Sequence, residues 1–199
     1  MSGEPPLECR NRRWLPADSS TGWAFIAYDC QVDPQHFHGG LVTALNADVV
    51  GYSRLVADDP EATSRAMSEA RAIVERGITA SGGLLVNFVG DNFMAVFDTS
   101  TSGMSAAIQV TSELEQVNSE RALAHRLRFR MGMDRGEVSV SDGHYEGEAL
   151  NVAARIQALA RPGGLSVSGA VFRDLDEPSL RFRPAGSHRL KNIPEPVDV

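Results

Sequence analysis

The stretch Leu84–Phe97, LLVNFVGDNFMAVF, restricts the fold of this chain more than any other feature. Two apolar runs, LLVNFV and NFMAVF, are joined by Gly90 and Asp91 alone. Runs rich in Val and Phe around a two-residue break that contains Gly predict a β-hairpin. Gly supplies the backbone angles of the tip. Asp91 is one of several polar residues that would serve the turn, so its carboxylate either completes the turn or holds something.

Around this hairpin the chain divides near residue 40. Residues 1–40 mix prolines, glycines and polar residues without a sustained period, and read as an extension or linker with a short strand at Trp23–Tyr28. From Leu41 the pattern is regular. LVTALNADVV predicts a strand whose apolar run ends near Asp48. Asp59-Pro60 supplies an N-cap and a first-turn proline. The helix that follows places Met67, Ala70, Ile73, Val74 and Ile78 on one face, and Gly82-Gly83 stops it. After the hairpin, Met104, Ile108, Thr111, Leu114 and Val117 recur at helical spacing. LRFRMGM then alternates, with Leu127, Phe129, Met131 and Met133 to one side and Arg128 and Arg130 to the other. EVSVS predicts a further strand, GEALNVAARIQALA a helix, and GGLSVSG, LRFRPAG and SHRLKNI short strand-like pieces. The order, β-α-ββ-α-ββ-α-β, predicts an α+β fold with helices packed on a mostly antiparallel sheet.

Composition narrows the function classes. Twenty-six acids against 19 bases give a formal charge of −7, which argues against nucleic-acid or anionic-membrane binding. No apolar run approaches the roughly 18 residues that span a bilayer. The N-terminus lacks the apolar core of a signal peptide. Both cysteines, Cys9 and Cys30, fall in the first 40 residues, which argues against a disulfide framework or structural zinc site and makes a cytoplasmic location the expectation.

Two constellations carry chemistry. Asp48 and Asp91 sit where strands end or turn, and if those strands are neighbours both carboxylates meet at one sheet end. Hard cations such as Mg²⁺ bind through one or two carboxylates plus substrate phosphates. The plainer alternative is that Asp91 is a turn residue and Asp48 a helix or loop cap. In LNVAAR, Asn151 and Arg155 stand four apart, one turn along the same helix face. Arg suits phosphate through its planar fork, although an arginine on a solvated helix is also common.

Four segments in this order, ALNADVVGYSRL, GGLLVNFVGDNFMAVF, RFRMGMDRGEV and YEGEALNVAARIQALARPGGLSVSG, resemble the class III nucleotidyl cyclase catalytic domain in its bacterial adenylate cyclase form. The resemblance runs over 41–199. It implies a ferredoxin-like βαββαβ core with additional strands, and a homodimer with active sites at the interface. It implies that Asp48 and Asp91 bind two Mg²⁺ (or Mn²⁺), that Arg130 contacts the phosphates, and that Asn151 and Arg155 orient the ribose and stabilise charge on the reacting phosphate. Lys191, in RLKNI, resembles a lysine that approaches the terminal phosphates. The metal aspartates would come from one subunit, and the Asn and Arg from its partner. The implied reaction is attack of the ribose 3′-hydroxyl on the α-phosphate of a nucleoside triphosphate, with pyrophosphate leaving.

The chain departs from the family in the base pocket. Adenylate cyclases usually carry Lys, and guanylate cyclases Glu, where this chain has Asn87. Asp or Thr is usual where it has His144. An Asn amide donates and accepts, and neutral His offers one of each, so either purine can be satisfied. ATP is favoured over GTP because adenylate-type sequence dominates the resemblance. Asn46 replaces a usual aromatic or apolar residue, and Leu150 a usual Val. A nucleotide-binding regulatory domain and a dimerisation module are the other classes the sequence leaves open.

Overall fold

The computed structural model describes residues 39–141, 143–175 and 177–199. The expected extension and its strand at Trp23–Tyr28 lie outside the described residues, apart from Gly39 and Gly40 at their end. The elements are β1 (Gly40–Val49), α1 (Tyr52–Asp58), α2 (Pro60–Ala80), β2 (Leu84–Val89), β3 (Asn92–Phe97), α3 (Ser100–Ser119), β4 (Phe129–Ser141), β5 (His144–Glu146), α4 (Glu148–Ile156), β6 (Leu165–Val167), α5 (Gly169–Asp174), β7 (Ser187–His188) and β8 (Val197–Asp198). Short 3₁₀ turns cover Leu123–His125 and Gln157–Leu159.

The main sheet runs β2-β3-β1-β4-β5, and β6 pairs with β4 as its one parallel neighbour. The core order β2-β3-β1-β4, with α2 linking β1 to β2 and α3 linking β3 to β4, is the expected βαββαβ arrangement. Strand β1 is central and buried on both faces from Val42 to Ala47. Its odd-numbered side chains, Leu45, Ala47 and Val49, join the large core under α2 and α3 with Phe93, Phe97, Phe129 and Met133. Its even-numbered ones, Val42 and Ala44, join a smaller core under α4 with Val96, Val138 and Ala153. Asn46 and Asp48 continue that second face.

Local signals held where chemistry fixes them. The Asp59 side chain accepts from the Ala62 N–H at 2.9 Å, and Pro60 opens α2. Gly90 sits at φ 60° at the hairpin tip, and Val89 pairs with Asn92. Leu127, Phe129, Met131 and Met133 are all buried, as the alternation requires. Periodicity misled in three places. Ile108 is 43% exposed, because α3 packs through small residues, Ala106 and Ala107, together with Val110. LRFRMGM and EVSVS form one 13-residue strand, β4, since Asp134 and Arg135 between them are built into the sheet. LRFRPAG forms no strand, and the short helix α1 carried no apolar stripe to reveal it, having no buried residue. No described helix is long and apolar enough to cross a membrane.

What seats α4 on the sheet is a missing side chain. A Cβ at Gly132 of β4 would lie 2.2 Å from the Ala153 carbonyl oxygen and 2.4 Å from the Gln157 nitrogen. Backbone therefore rests directly on backbone. Four residues on, a Cβ at Gly136 would meet only the Ala149 methyl, at 3.3 Å. Gly132→Ala should therefore lift the end of α4 and lower stability by about 1–3 kcal/mol in urea denaturation, with Gly136→Ala losing less than half as much. Equal losses would mean that α4 is not held by this close approach.

Candidate active site

The register of three strands brings the acidic residues together. Asp48 stands opposite Asn92 of β3 on one side and Arg130 of β4 on the other. The tip residue Asp91 accepts the Val49 N–H on its backbone oxygen at 3.1 Å, which fixes the tip against the end of β1. The two carboxylates consequently come together at this sheet end, and both are half-buried. Desolvation by burial, and then the neighbouring Asp91 charge, raise the Asp48 carboxyl above its ordinary pKa, while Arg130 and the Gln157 amide pull it the other way. Two neighbouring carboxylates favour a shared proton or cation.

A pair of amides braces this end. Asn46, 3% exposed, donates to the Asn92 side-chain oxygen at 3.2 Å and to the Phe93 carbonyl at 3.3 Å. Asn92 donates back to the Asn46 oxygen at 3.3 Å and to the Ala47 carbonyl at 2.8 Å. Asn46 is thus a cross-strand clamp beside the acids, which accounts for a polar residue in a buried strand. Sequence reading missed Asn92 and Gln157. The Asn-Asp pairing at 46/48 and 91/92 was the available signal, but its register becomes visible only once β1 and β3 are paired.

Arg130 is half-buried, and its Nε is buried with no hydrogen-bond partner among the described residues. An unpaired guanidinium N–H beside these acids can donate to an anionic ligand that the acids alone would repel. Among the described residues no group of three or more His, Cys, Asp or Glu side chains gathers to hold a metal. A donor set of two carboxylates leaves most of a hard cation's ligands to water and phosphate, which fits Mg²⁺ or Mn²⁺ and not a structural zinc.

The other expected residues lie apart from this cluster. Asn151 and Arg155 are exposed on α4, whose opposite side buries Ala149, Val152, Ala153 and Ile156. Asn151 donates to the Gly147 carbonyl at 3.2 Å. Asn87 is exposed on β2 and shares the Asp48 face of the sheet, in the row Asn87–Met94–Asn46–Gly132. His144 is exposed on β5 at the other end of the strand path, where it pairs with Ser141. Lys191 is exposed in the turn after β7.

The electrostatics give a test of the acidic pair. A raised carboxyl pKa means that the folded state binds a proton more readily than the unfolded chain, so stability falls as pH rises through that pKa. Without divalent cations, Asp48→Asn should raise Tm at pH 7.5, with the gain shrinking as pH is lowered into the carboxylate range. Added Mn²⁺ should raise the Tm of the wild type and leave that of Asp48→Asn nearly unchanged. A variant less stable than wild type at pH 7.5 in EDTA would contradict the repulsive pair.

Comparison with known proteins identifies the family. Residues 35–196 match the model described as the adenylate and guanylate cyclase catalytic domain. The adenylate/guanylate cyclase/hydrolase of Silicibacter pomeroyi is 31% identical, with a TM-score of 0.72 over 81% of this chain and 95% of that one. An adenylate cyclase structure from Trypanosoma brucei, 20% identical, shares the fold with a TM-score of 0.68 over 80% of this chain and 87% of that one. The adenylate cyclase of Anabaena cylindrica is 29% identical over 71% of this chain and 32% of its own length. The chain spans 27% to 54% of the length of several curated relatives it matches. On the family match and the Silicibacter likeness together, this chain belongs to the adenylate and guanylate cyclase catalytic domain family.

Proposed function

We propose that the chain converts ATP to 3′,5′-cyclic AMP and pyrophosphate, as a homodimer with shared sites. The observation that carries this reading is the convergence of Asp48, Asp91 and Arg130, with its unpaired Nε, at one sheet end. In the reaction the ribose 3′-oxygen forms a bond to the α-phosphorus and the bond to the β-bridging oxygen breaks. Pyrophosphate leaves with that electron pair, and the 3′-hydroxyl proton passes to water. Mg²⁺ or Mn²⁺ held by Asp48 and Asp91 would supply Lewis acidity, lowering the pKa of the 3′-hydroxyl and neutralising the triphosphate.

The chain's own residues do the positioning. Arg130 grips a phosphate through its fork. Arg155 of the partner protomer meets charge that grows on the reacting phosphate, and Asn151 beside it orients the ribose. Lys191 approaches the terminal phosphates, and Asn87 and His144 meet the purine edge. The exposed Asn151–Arg155 face of α4 supports the shared site, because these side chains point away from the core of their own protomer. A cytoplasmic setting, where nucleoside triphosphates and Mg²⁺ are both abundant, fits this chemistry. GTP turnover, or nucleotide binding without turnover, is the second reading, favoured by the Asn87 amide and the His144 ring, neither of which selects one purine.

Turnover of ATP and GTP with Mg²⁺ and then Mn²⁺ separates these readings, and two bound but unreacted nucleotides would establish the regulatory one. Asp91→Asn should abolish product, and Arg155→Ala should lower kcat more than it raises KM. Mixed in equal amounts and allowed to exchange, these two variants should recover about a quarter of wild-type activity, since half the dimers would carry one intact site. No recovery would overturn the shared site. Asn87→Lys with His144→Asp should raise selectivity for ATP in the same assay, and unchanged selectivity would remove both residues from the base pocket.

A further inference from the structure

Gln157 is 7% exposed, an uncommon place for an amide with no role in the core. It caps the C-terminal end of α4 and begins the 3₁₀ turn that follows. Its position comes from the sheet beneath it, because its backbone nitrogen and Cα would lie 2.4 Å and 2.7 Å from a Cβ at Gly132. Gly132 pairs with Asn46, and two residues along each strand Arg130 pairs with Asp48 on the same face. From this seat the buried Gln157 amide lies on the Asp48 side of the sheet and favours the charged form of the Asp48 carboxylate.

We propose that Gln157 is a positioning residue that holds the Asp48 carboxylate in the orientation in which it binds a divalent cation. The inference rests on the reading of Asp48 as a metal ligand. A carboxylate at the half-buried end of a strand can turn about its side-chain bonds. An amide donor on one oxygen would fix that rotation and leave the other oxygen for a cation. Asp91, Arg130 and Gln157 then meet Asp48 from three elements: the hairpin tip, β4 and the end of α4. Since Arg155 lies two residues before Gln157, the helix end that orients the acid of one site also presents the arginine for the site across the dimer.

The test measures Mn²⁺ alone, from the free-Mn²⁺ EPR signal and from the Mn²⁺ dependence of Tm, on the full chain. Gln157→Met keeps nearly the same volume without a donor. It should weaken Mn²⁺ binding about 10-fold, the scale expected when a group orienting a metal ligand is lost, while leaving Tm in EDTA within a few degrees of wild type. A purely structural role would lower Tm in EDTA and leave Mn²⁺ affinity alone, and that result overturns the proposal. Gln157→Glu provides a second arm should the Met variant fail to fold. It adds a third carboxylate to the pair and should tighten Mn²⁺ binding, and an unchanged affinity would remove Gln157 from contact with Asp48. Asp48→Asn serves as the reference. If it leaves Mn²⁺ binding intact, the metal-ligand reading falls and this inference with it. If Asp48→Asn abolishes binding and Gln157→Met does not alter it, only the positioning role fails.

Discussion

The antiparallel register of β1 between β3 and β4 is the constraint on which the site depends. Side chains alternate along a strand, so a one-residue slip of β1 would turn Asp48 into the large core and bring Ala47 or Val49 to the acidic end. The slip is prevented by apolar burial on both faces: Leu45, Ala47 and Val49 fill one core, and Val42 and Ala44 the other. A strand locked on two sides holds its polar end without being able to adapt to it. That rigidity allows a carboxylate to stand against Asp91 despite the repulsion, since relief by rotating the backbone would uncover both cores. The Asn46–Asn92 amide pair adds a polar lock at the same point.

The second layer follows from β4. Two glycines on its α4 face, Gly132 and Gly136, make the approach of α4 asymmetric, with backbone contact at the helix end and a methyl contact near its start. A helix held most closely at its C-terminal end places the residues of that end, Arg155 and Gln157, with less freedom than those at its beginning. The geometry therefore concentrates order where Gln157 turns into the protein and Arg155 into solvent.

Much of this was legible in the residues, for identifiable reasons. The hairpin, the Asp59-Pro60 helix start and the alternation before Met133 rest on local backbone chemistry, and each appears where the residues placed it. Ile108 went astray because periodicity weighs large apolar side chains, whereas α3 is drawn close to the sheet and to α2 through Ala106 and Ala107. Strand β4 looked like two because Asp134 and Arg135 read as a polar break, whereas Arg135 pairs with Asp174 at 3.2 Å and Asp134, 8% exposed, is buried on the α4 face near the Ser168 side chain, partners distant in sequence. The proximity of Asp48 and Asp91 was a conditional expectation, and the pairing of β1 with β3 meets its condition. Gln157 offered no sequence signal, because its seat depends on a glycine 25 residues earlier that matters only once α4 folds back onto β4.

A consequence for the proposed reaction follows from the division of labour within α4. The nine-residue helix buries Ala149, Leu150, Val152, Ala153 and Ile156, which leaves only a narrow polar stripe, and Asn151 and Arg155 occupy it one turn apart. A stripe that faces solvent in one protomer does no catalytic work there, since charge stabilisation on a phosphate needs a donor in a site from which water is largely excluded. The stripe becomes useful only when another surface closes over it. The acidic end of a second protomer, with Arg130 already partly balancing its two carboxylates, is a chemically suitable surface: a triphosphate and its cations would lie between negative and positive groups that neither chain supplies alone. Half-sites of this kind would make the proposed activity depend on association, so that whatever controls the pairing of two chains would also control the reaction.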